Sequence, residues 1–410
     1  MKIGHPVVDL ECEALVLAVR RDDPSGDGLL EALGSGINWP RLIDLSVRHR
    51  VMPLLCVRLQ SLGERNPAPR EIMARLKTLR RLNEGKNLVM LGKLAEILDI
   101  FGRNGIEAIV LKGPALAVAA YGSVGMRQFD DLDILIRPRD YARIKSLMAG
   151  LGFRPDKEFT PAQEAIHLRR HHDFGYNDAQ KGIYIEIHIR LTETFHRVRL
   201  ETESLFMRRT IVATEGLKLP SLSAGDALLY LCAHGTLNVW PALGMICDVA
   251  ALATSRGDWA WGEVLEEAQK AGLGRTVLLG LGLARDAVGL KLPALIEYEV
   301  RADAGAAKLR GRVLADLLPG REAEIPHLER AFFYLSSKER TTDKMAFALK
   351  RLVLPSPEDW TSVHLPDSLY VLHLPVRAFR ISAKVIFPGL VKWMRRSLRS
   401  RRIRPWPDSS

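Results

Sequence analysis

The sequence predicts a helix-rich α+β fold: a small mixed β-sheet core flanked by N- and C-terminal helical regions. Three observations carry this. Apolar residues recur at helical spacing up to about residue 100 and again from Ala224 onward. Between them lie three short β-branched runs, each next to helix or turn signals. And 410 residues are too many for one compact core. The expected division is an N-terminal helical region over 1–100, an α/β core over 101–215, a helical domain over 216–330 and a C-terminal extension over 331–410.

Each element has a local reason. Ser46–Leu62 and Pro69–Ile100 carry apolar residues at helical intervals, with Arg, Lys and Glu between them. The Asn66-Pro67-Ala68-Pro69 stretch separates the two as a loop. Ile106–Leu111 is short and apolar, like a buried strand. Pro114 then suits the first position of a helix that runs to Tyr121 and stops at Gly122. Asp131–Ile136 reads as a second strand, Pro138–Leu151 as a helix, and Ile183–Leu191 as a third strand. Helical periodicity returns through Asp226–Ala233, Leu243–Ala253, Trp261–Ala271 and Gly274–Val288.

At 47% hydrophobic and 26% charged residues, the composition is that of a globular chain, which excludes bulk disorder. The formal charge is +11, but ten basic residues and no acid lie between Arg377 and Arg404. Taking those ten from +11 leaves +1 for the rest, so the body is close to neutral. That disfavours nucleic acid as a partner of the body. It leaves peripheral contact of the basic tail with an anionic membrane surface as an expectation, supported by the apolar start of Val385–Leu398 and by Trp393. Cys12, Cys56, Cys232 and Cys247 show no metal-ligand or disulfide spacing, which points to reduced thiols and the cytoplasm. The longest uncharged stretch, Ala227–Cys247, is broken by His234, Asn238 and Pro241 and does not suit a bilayer.

The sharpest signal is Asp130-Asp131-Leu132-Asp133-Ile134-Leu135-Ile136. In a strand, Asp131 and Asp133 share one face while Leu132, Ile134 and Ile136 pack on the other. Two acids so placed repel, and a cation between them offsets the cost. Rigid carboxylates a few ångströms apart suit Mg²⁺. A third acid, Glu186, lies on the strand Ile183–Ile189, opposite to the face of its isoleucines and beside Tyr184 and His188. His188 reads as a packing residue or as support for the acids. Upstream, Lys112-Gly113-Pro114 joins a strand to a helix N-terminus, where backbone N–H groups and the lysine suit a phosphate. Arg127 offers a planar fork for the same purpose. His167-Leu168-Arg169-Arg170-His171-His172-Asp173 lacks a matching zinc ligand set and reads as a loop or helix near the site. His234 and Asp248, on helices, read as capping or interhelical hydrogen-bonding groups.

Val110-Leu111-Lys112-Gly113, Tyr121-Gly122, Arg127, Asp131–Ile136 and Ile185-Glu186-Ile187-His188 together resemble the uncharacterised nucleotidyltransferase family of the DNA polymerase beta-like superfamily. Leu231–His234 and Ile246–Ala250 extend the resemblance, which covers roughly residues 40 to 300. It implies that Asp131, Asp133 and Glu186 are the catalytic, metal-binding carboxylates. It also implies that Lys112, Gly113 and Arg127 meet the nucleotide. The implied reaction is Mg²⁺-dependent transfer of a nucleoside monophosphate from NTP, expected to be ATP, to a hydroxyl or phosphate acceptor. The competing expectation is an inactive module on the same fold that only binds. A tRNA nucleotidyltransferase is disfavoured by the near-neutral body. Where the superfamily turn has Gly-Gly or Gly-Ser, this sequence has Gly113-Pro114.

Overall fold

The computed structural model describes residues 9–34, 36–178, 182–317, 327–353, 360, 363 and 372–381. The N-terminal part is helical: α1 (Leu10–Val19), α2 (Asp27–Leu33), α3 (Trp39–Arg48), α4 (Met52–Ser61) and the 34-residue α5 (Arg70–Arg103). The sheet region follows as β1 (Ala108–Val110), α6 (Gly113–Tyr121), β2 (Asp131–Ile136), α7 (Tyr141–Gly150), β3 (Arg154–Pro155), α8 (Pro161–Arg170), β4 (Asp173–Asp178), β5 (Ile183–His188), α9 (Thr202–Arg208), β6 (Thr210–Thr214) and β7 (Leu217–Ser221). Helices then return: α10 (Ala224–Asn238), α11 (Leu243–Thr254), α12 (Trp261–Ala271), α13 (Gly274–Val288), α14 (Ala294–Ala302), α15 (Ala304–Leu317), α16 (His327–Ser337), α17 (Thr341–Val353) and α18 (His373–Ile381). The helix-rich α+β class read from the sequence is the class observed.

Seven strands form one mixed sheet in the order β3-β4-β5-β2-β1-β7-β6. β2 runs parallel to β5 and β1 parallel to β7, while the other pairs are antiparallel. On one face, Leu132, Ile134, Ile136, Ile185 and Ile187 join the apolar residues of α5–α7. On the other, Ile109, Leu111 and Leu135 meet Leu205 and Phe206 of α9 and Tyr230 of α10. A separate helical core joins Leu15, Leu42, Leu55, Leu228, Ile246 and Leu279 from both ends of the chain. The N-terminal helices are thus packed into the same core as α10, α11 and α13.

Two expectations are corrected. The helix expected over Ser46–Leu62 breaks: α3 ends at Arg48, His49–Val51 form a turn, and α4 starts at Met52. Pro53 is the cause, because in a helix interior it lacks an N–H and clashes with the carbonyl four residues earlier. As the second residue of α4 it costs nothing. The sheet also has four strands, β3, β4, β6 and β7, that the apolar runs did not reveal. β4 is Asp-Phe-Gly-Tyr-Asn-Asp and β6–β7 mix Thr, Lys and Pro, so their pairing rests on neighbours rather than on their own pattern. Among the described residues no helix is long and apolar enough to cross a membrane. Of the ten basic residues from Arg377 to Arg404, Arg377 and Arg380 lie on α18; the other eight, with Val385–Leu398, lie outside the described residues.

Candidate active site

Strand alternation puts Asp131, Asp133 and Leu135 on the sheet face covered by α10, opposite to Leu132, Ile134 and Ile136. The parallel register of β2 and β5 sets Asp133 directly beside Glu186, and Asp131 beside Tyr184. Asp133 is 0% exposed. Lys112 Nζ stands 3.1 Å from its Oδ1, and His188 Nε2 donates to the same oxygen at 3.2 Å. His188 Nε2 is also 3.3 Å from Glu186 Oε2, so the imidazole bridges the two carboxylates. Asp133, Glu186 and His188 each bring a ligand atom within 4.8 Å of the others, and theirs is the one such cluster among the described residues. Asp133 Oδ2 is buried and has no hydrogen-bond partner.

The charges in this cluster are mutually adjusted. Burial alone would raise the Asp133 carboxyl, but the Lys112 ammonium and His188 hold it well below the usual carboxylate range. Burial works against protonation of His188, yet its hydrogen bonds to Asp133 and Glu186 raise it to about 10. Burial and the neighbouring Asp133 charge push the Asp131 carboxyl up. Two like charges on one strand face thus titrate apart.

Lys112 closes the strand end and caps α6, and Gly113 follows with φ +57°, a left-handed value that a side chain rarely adopts. A Cβ on Gly113 would sit 3.6 Å from the Asp131 carbonyl oxygen, so this turn lies against the start of β2. At the far end of α6, Tyr121 Oη donates to Asp248 Oδ1 at 2.9 Å. Arg127 Nε donates to Asp248 Oδ2 at 3.0 Å. Arg127 is therefore anchored to α11, and its buried Nη1 has no partner.

The segment leading into β2 is held by α5. Asn83 Nδ2 donates to the carbonyls of Gly125 and Arg127, both at 3.2 Å. Asn87 Nδ2 donates to those of Val124 at 2.7 Å and Arg127 at 2.8 Å. Lys86 Nζ bonds the Phe129 carbonyl at 2.6 Å and Asp130 at 2.7 Å. These supports were missed in the sequence, although a signal existed. Asn83 and Asn87 occupy the stripe of α5 that Leu76, Met90, Leu94 and Ile97 make apolar, and buried amides there require partners.

Beside the carboxylates lies a cavity of about 380 Å³, lined by Lys112, Arg127 and Asp131 and by residues of α10, α11 and the turn after α3. Of the six residues singled out from the sequence, Asp133, Glu186 and Lys112 therefore meet around the acids. Asp131 and Arg127 border the cavity beside them. Gly113 forms the turn that joins the two. His188, read as packing or support, contacts both acids directly. Asp248, read as an interhelical hydrogen-bonding group, holds Arg127. His167 ends up on α8 with its Nε2 bonded to the Asp173 carbonyl at 2.7 Å, and the His172 ring of the same stretch lies 5.5 Å from that of His188.

Comparison with solved structures finds similarity to a lincosamide antibiotic adenylyltransferase bound to lincomycin, at 14% identity and a TM-score of 0.30, over 40% of this chain and 97% of that one. Comparison with curated proteins returns no match. The model of the uncharacterised nucleotidyltransferase family matches residues 35–289, more than half of the chain and all of the segment that carries the carboxylates, so this protein belongs to that family and is a nucleotidyl-transferring enzyme.

Proposed function

We propose that the protein transfers a nucleoside monophosphate from an NTP, ATP in the first instance, to a hydroxyl or phosphate acceptor, with Mg²⁺ bound by Asp131, Asp133 and Glu186. The observation that carries the reading is the buried Asp133 carboxylate, set opposite Glu186 by strand register and left with one oxygen unpartnered. A buried carboxylate oxygen without a partner is costly, and a cation satisfies it. The fit to the metal is chemical: an oxygen-rich donor set on two hydrogen-bonded strands suits a hard divalent ion. When bound, Mg²⁺ offsets phosphate charge and makes an acceptor oxygen a better nucleophile.

The chain's own groups supply the rest. Asp133 is fixed and ionised, because Lys112 and His188 compensate its charge. Glu186, a quarter exposed at its side chain, is the carboxylate open to an incoming acceptor and takes up the acceptor's proton. Lys112 and Arg127 face the phosphates, and the Gly113 turn lets backbone N–H groups at the start of α6 approach them. The acceptor oxygen bonds to the α-phosphorus, the bond to the β-phosphate oxygen breaks, and pyrophosphate leaves with that electron pair. Four free, buried thiols accord with a reducing compartment, and we place the protein in the cytoplasm. The basic tail that follows α18 is proposed to meet an anionic membrane surface.

The test is NTP-dependent pyrophosphate release in the presence of Mg²⁺ and a cell extract as acceptor source. Asp133→Ala is expected to lower the rate by about 100-fold or more. Equal rates for the variant and the wild type would end the proposal.

A further inference from the structure

The cavity beside the carboxylates is rich in basic residues. Arg48, Arg50, Lys112 and Arg127 line it against two acids, Asp131 and Asp248. Four basic groups thus line it with two acids; Lys112 is already paired with Asp133, and Asp248 with Arg127 and Tyr121. Arg127 Nη1 is buried there without a partner. An unsatisfied buried guanidinium N–H is costly and is relieved by an anion.

Arg48 ends α3 and Arg50 sits in the turn between α3 and α4, well before the sheet in sequence. Arg50 has φ +59°, a left-handed value that costs an L-residue about 1 kcal/mol or more. The surroundings enforce it. Arg50 N donates to the Val47 carbonyl at 3.0 Å and Val51 N to that of Ser46 at 2.8 Å. Gly244 N, in the first turn of α11, donates to the His49 carbonyl at 2.8 Å. A Cβ on Gly244 would sit 2.9 Å from the Arg50 carbonyl oxygen, so only glycine lets the turn dock this closely. The Arg50 guanidinium itself is lightly committed: Nη2 stands 3.5 Å from Asp130 Oδ2, with both side chains largely exposed. Lys86 already holds Asp130 at 2.7 Å. Arg50 can exchange Asp130 for a ligand oxygen without stranding a charge.

We propose that Arg50, seconded by Arg48, receives the β- and γ-phosphates of the nucleotide and the pyrophosphate that leaves, so that the N-terminal helices complete the nucleotide site. This rests on the nucleotidyl-transfer reading above and adds the residues that hold the polyphosphate end. A planar guanidinium pairs with phosphate oxygens in a two-point fork, and Arg127 Nη1 and Lys112 Nζ approach the same anion from the sheet side. An acceptor carrying its own phosphate is the other source of such chemistry; the nucleotide is preferred because Lys112, Arg127 and Asp131 share the cavity.

The experiment is calorimetric titration of the full chain with pyrophosphate, with inorganic phosphate and with AMP, each with Mg²⁺. Arg50→Gly suits a left-handed turn and should preserve the melting temperature; Arg50→Lys keeps the charge without the fork. Arg50→Gly is expected to weaken pyrophosphate at least tenfold and AMP less than twofold, with partial recovery in Arg50→Lys. Wild-type binding of pyrophosphate that Arg50→Gly leaves unchanged overturns this inference alone. Weakened binding of inorganic phosphate with intact pyrophosphate binding assigns Arg50 to an acceptor's anion and also overturns it. Wild-type protein that binds neither pyrophosphate nor AMP overturns both this inference and the reading it rests on.

Discussion

Arg127 shows how one residue can be read correctly for its chemistry and incompletely for its position. Four residues before Asp131, its fork suggests phosphate, and Arg127 does line the cavity. What the sequence did not display is the price of holding a guanidinium there: Asp248, 121 residues away, which is 7% exposed at its side chain against 11% for Arg127. Removing one partner of a buried pair leaves an uncompensated charge. Asp248→Ala is therefore expected to lower stability by about 3 kcal/mol in urea denaturation. Tyr121→Phe, which removes one hydrogen bond to the same carboxylate, is expected to cost about 1 kcal/mol. Equal, negligible losses in both would show that the pair does not matter to the fold. The sheet face shared by Asp131, Asp133 and Glu186 was legible because strand alternation has a fixed period and places alternate residues on one face. The places of Asn83 and Asn87 on the apolar stripe of α5 mark them as buried amides, but their targets are backbone carbonyls that no sequence pattern marks.

At the scale of elements, α8 and β4 are joined through His167. Its ring is buried, stacks on His171 with centroids 4.4 Å apart, and bonds the Asp173 carbonyl. Burial, helped by the neighbouring His171, lowers it from 6.5 to about 4. A histidine so depressed binds fewer protons folded than unfolded between those two values. Its contribution is therefore complete above pH 6.5 and is lost as the pH falls toward 4. Thermal melts at pH 7 and pH 5 should show a smaller acid loss for His167→Gln than for wild type. An unchanged difference would mean that other groups carry the acid sensitivity. The expected continuous helix over Ser46–Leu62 failed for a related reason of local rule against pattern. Apolar periodicity runs through the segment, but Pro53 breaks it, and the break supplies the turn that carries Arg50.

For the whole molecule, charge and core separate. The described residues build three apolar clusters, two on the faces of the sheet and one that ties α1, α3 and α4 to α10, α11 and α13. The +11 charge belongs mainly to the far C-terminus. Full-length protein is expected to sediment with anionic phospholipid vesicles at low salt and to be released as salt rises. Deletion of residues 382–410 should abolish this and leave pyrophosphate release unchanged. Retained vesicle binding in the deletion would overturn the assignment to the tail.

By itself the sequence determined the reaction class, the sheet face that Asp131 and Asp133 share, the Lys112-Gly113 turn and the helix–sheet–helix order. Each of these is written in a short window, where backbone periodicity fixes which side chains share a face. The tertiary structure alone decided that His188 bridges Asp133 and Glu186, that Asp248 anchors Arg127, and that Arg48 and Arg50 reach the cavity from the N-terminal helices. Those contacts close loops of tens to hundreds of residues, and their partners are chosen by packing rather than by spacing along the chain.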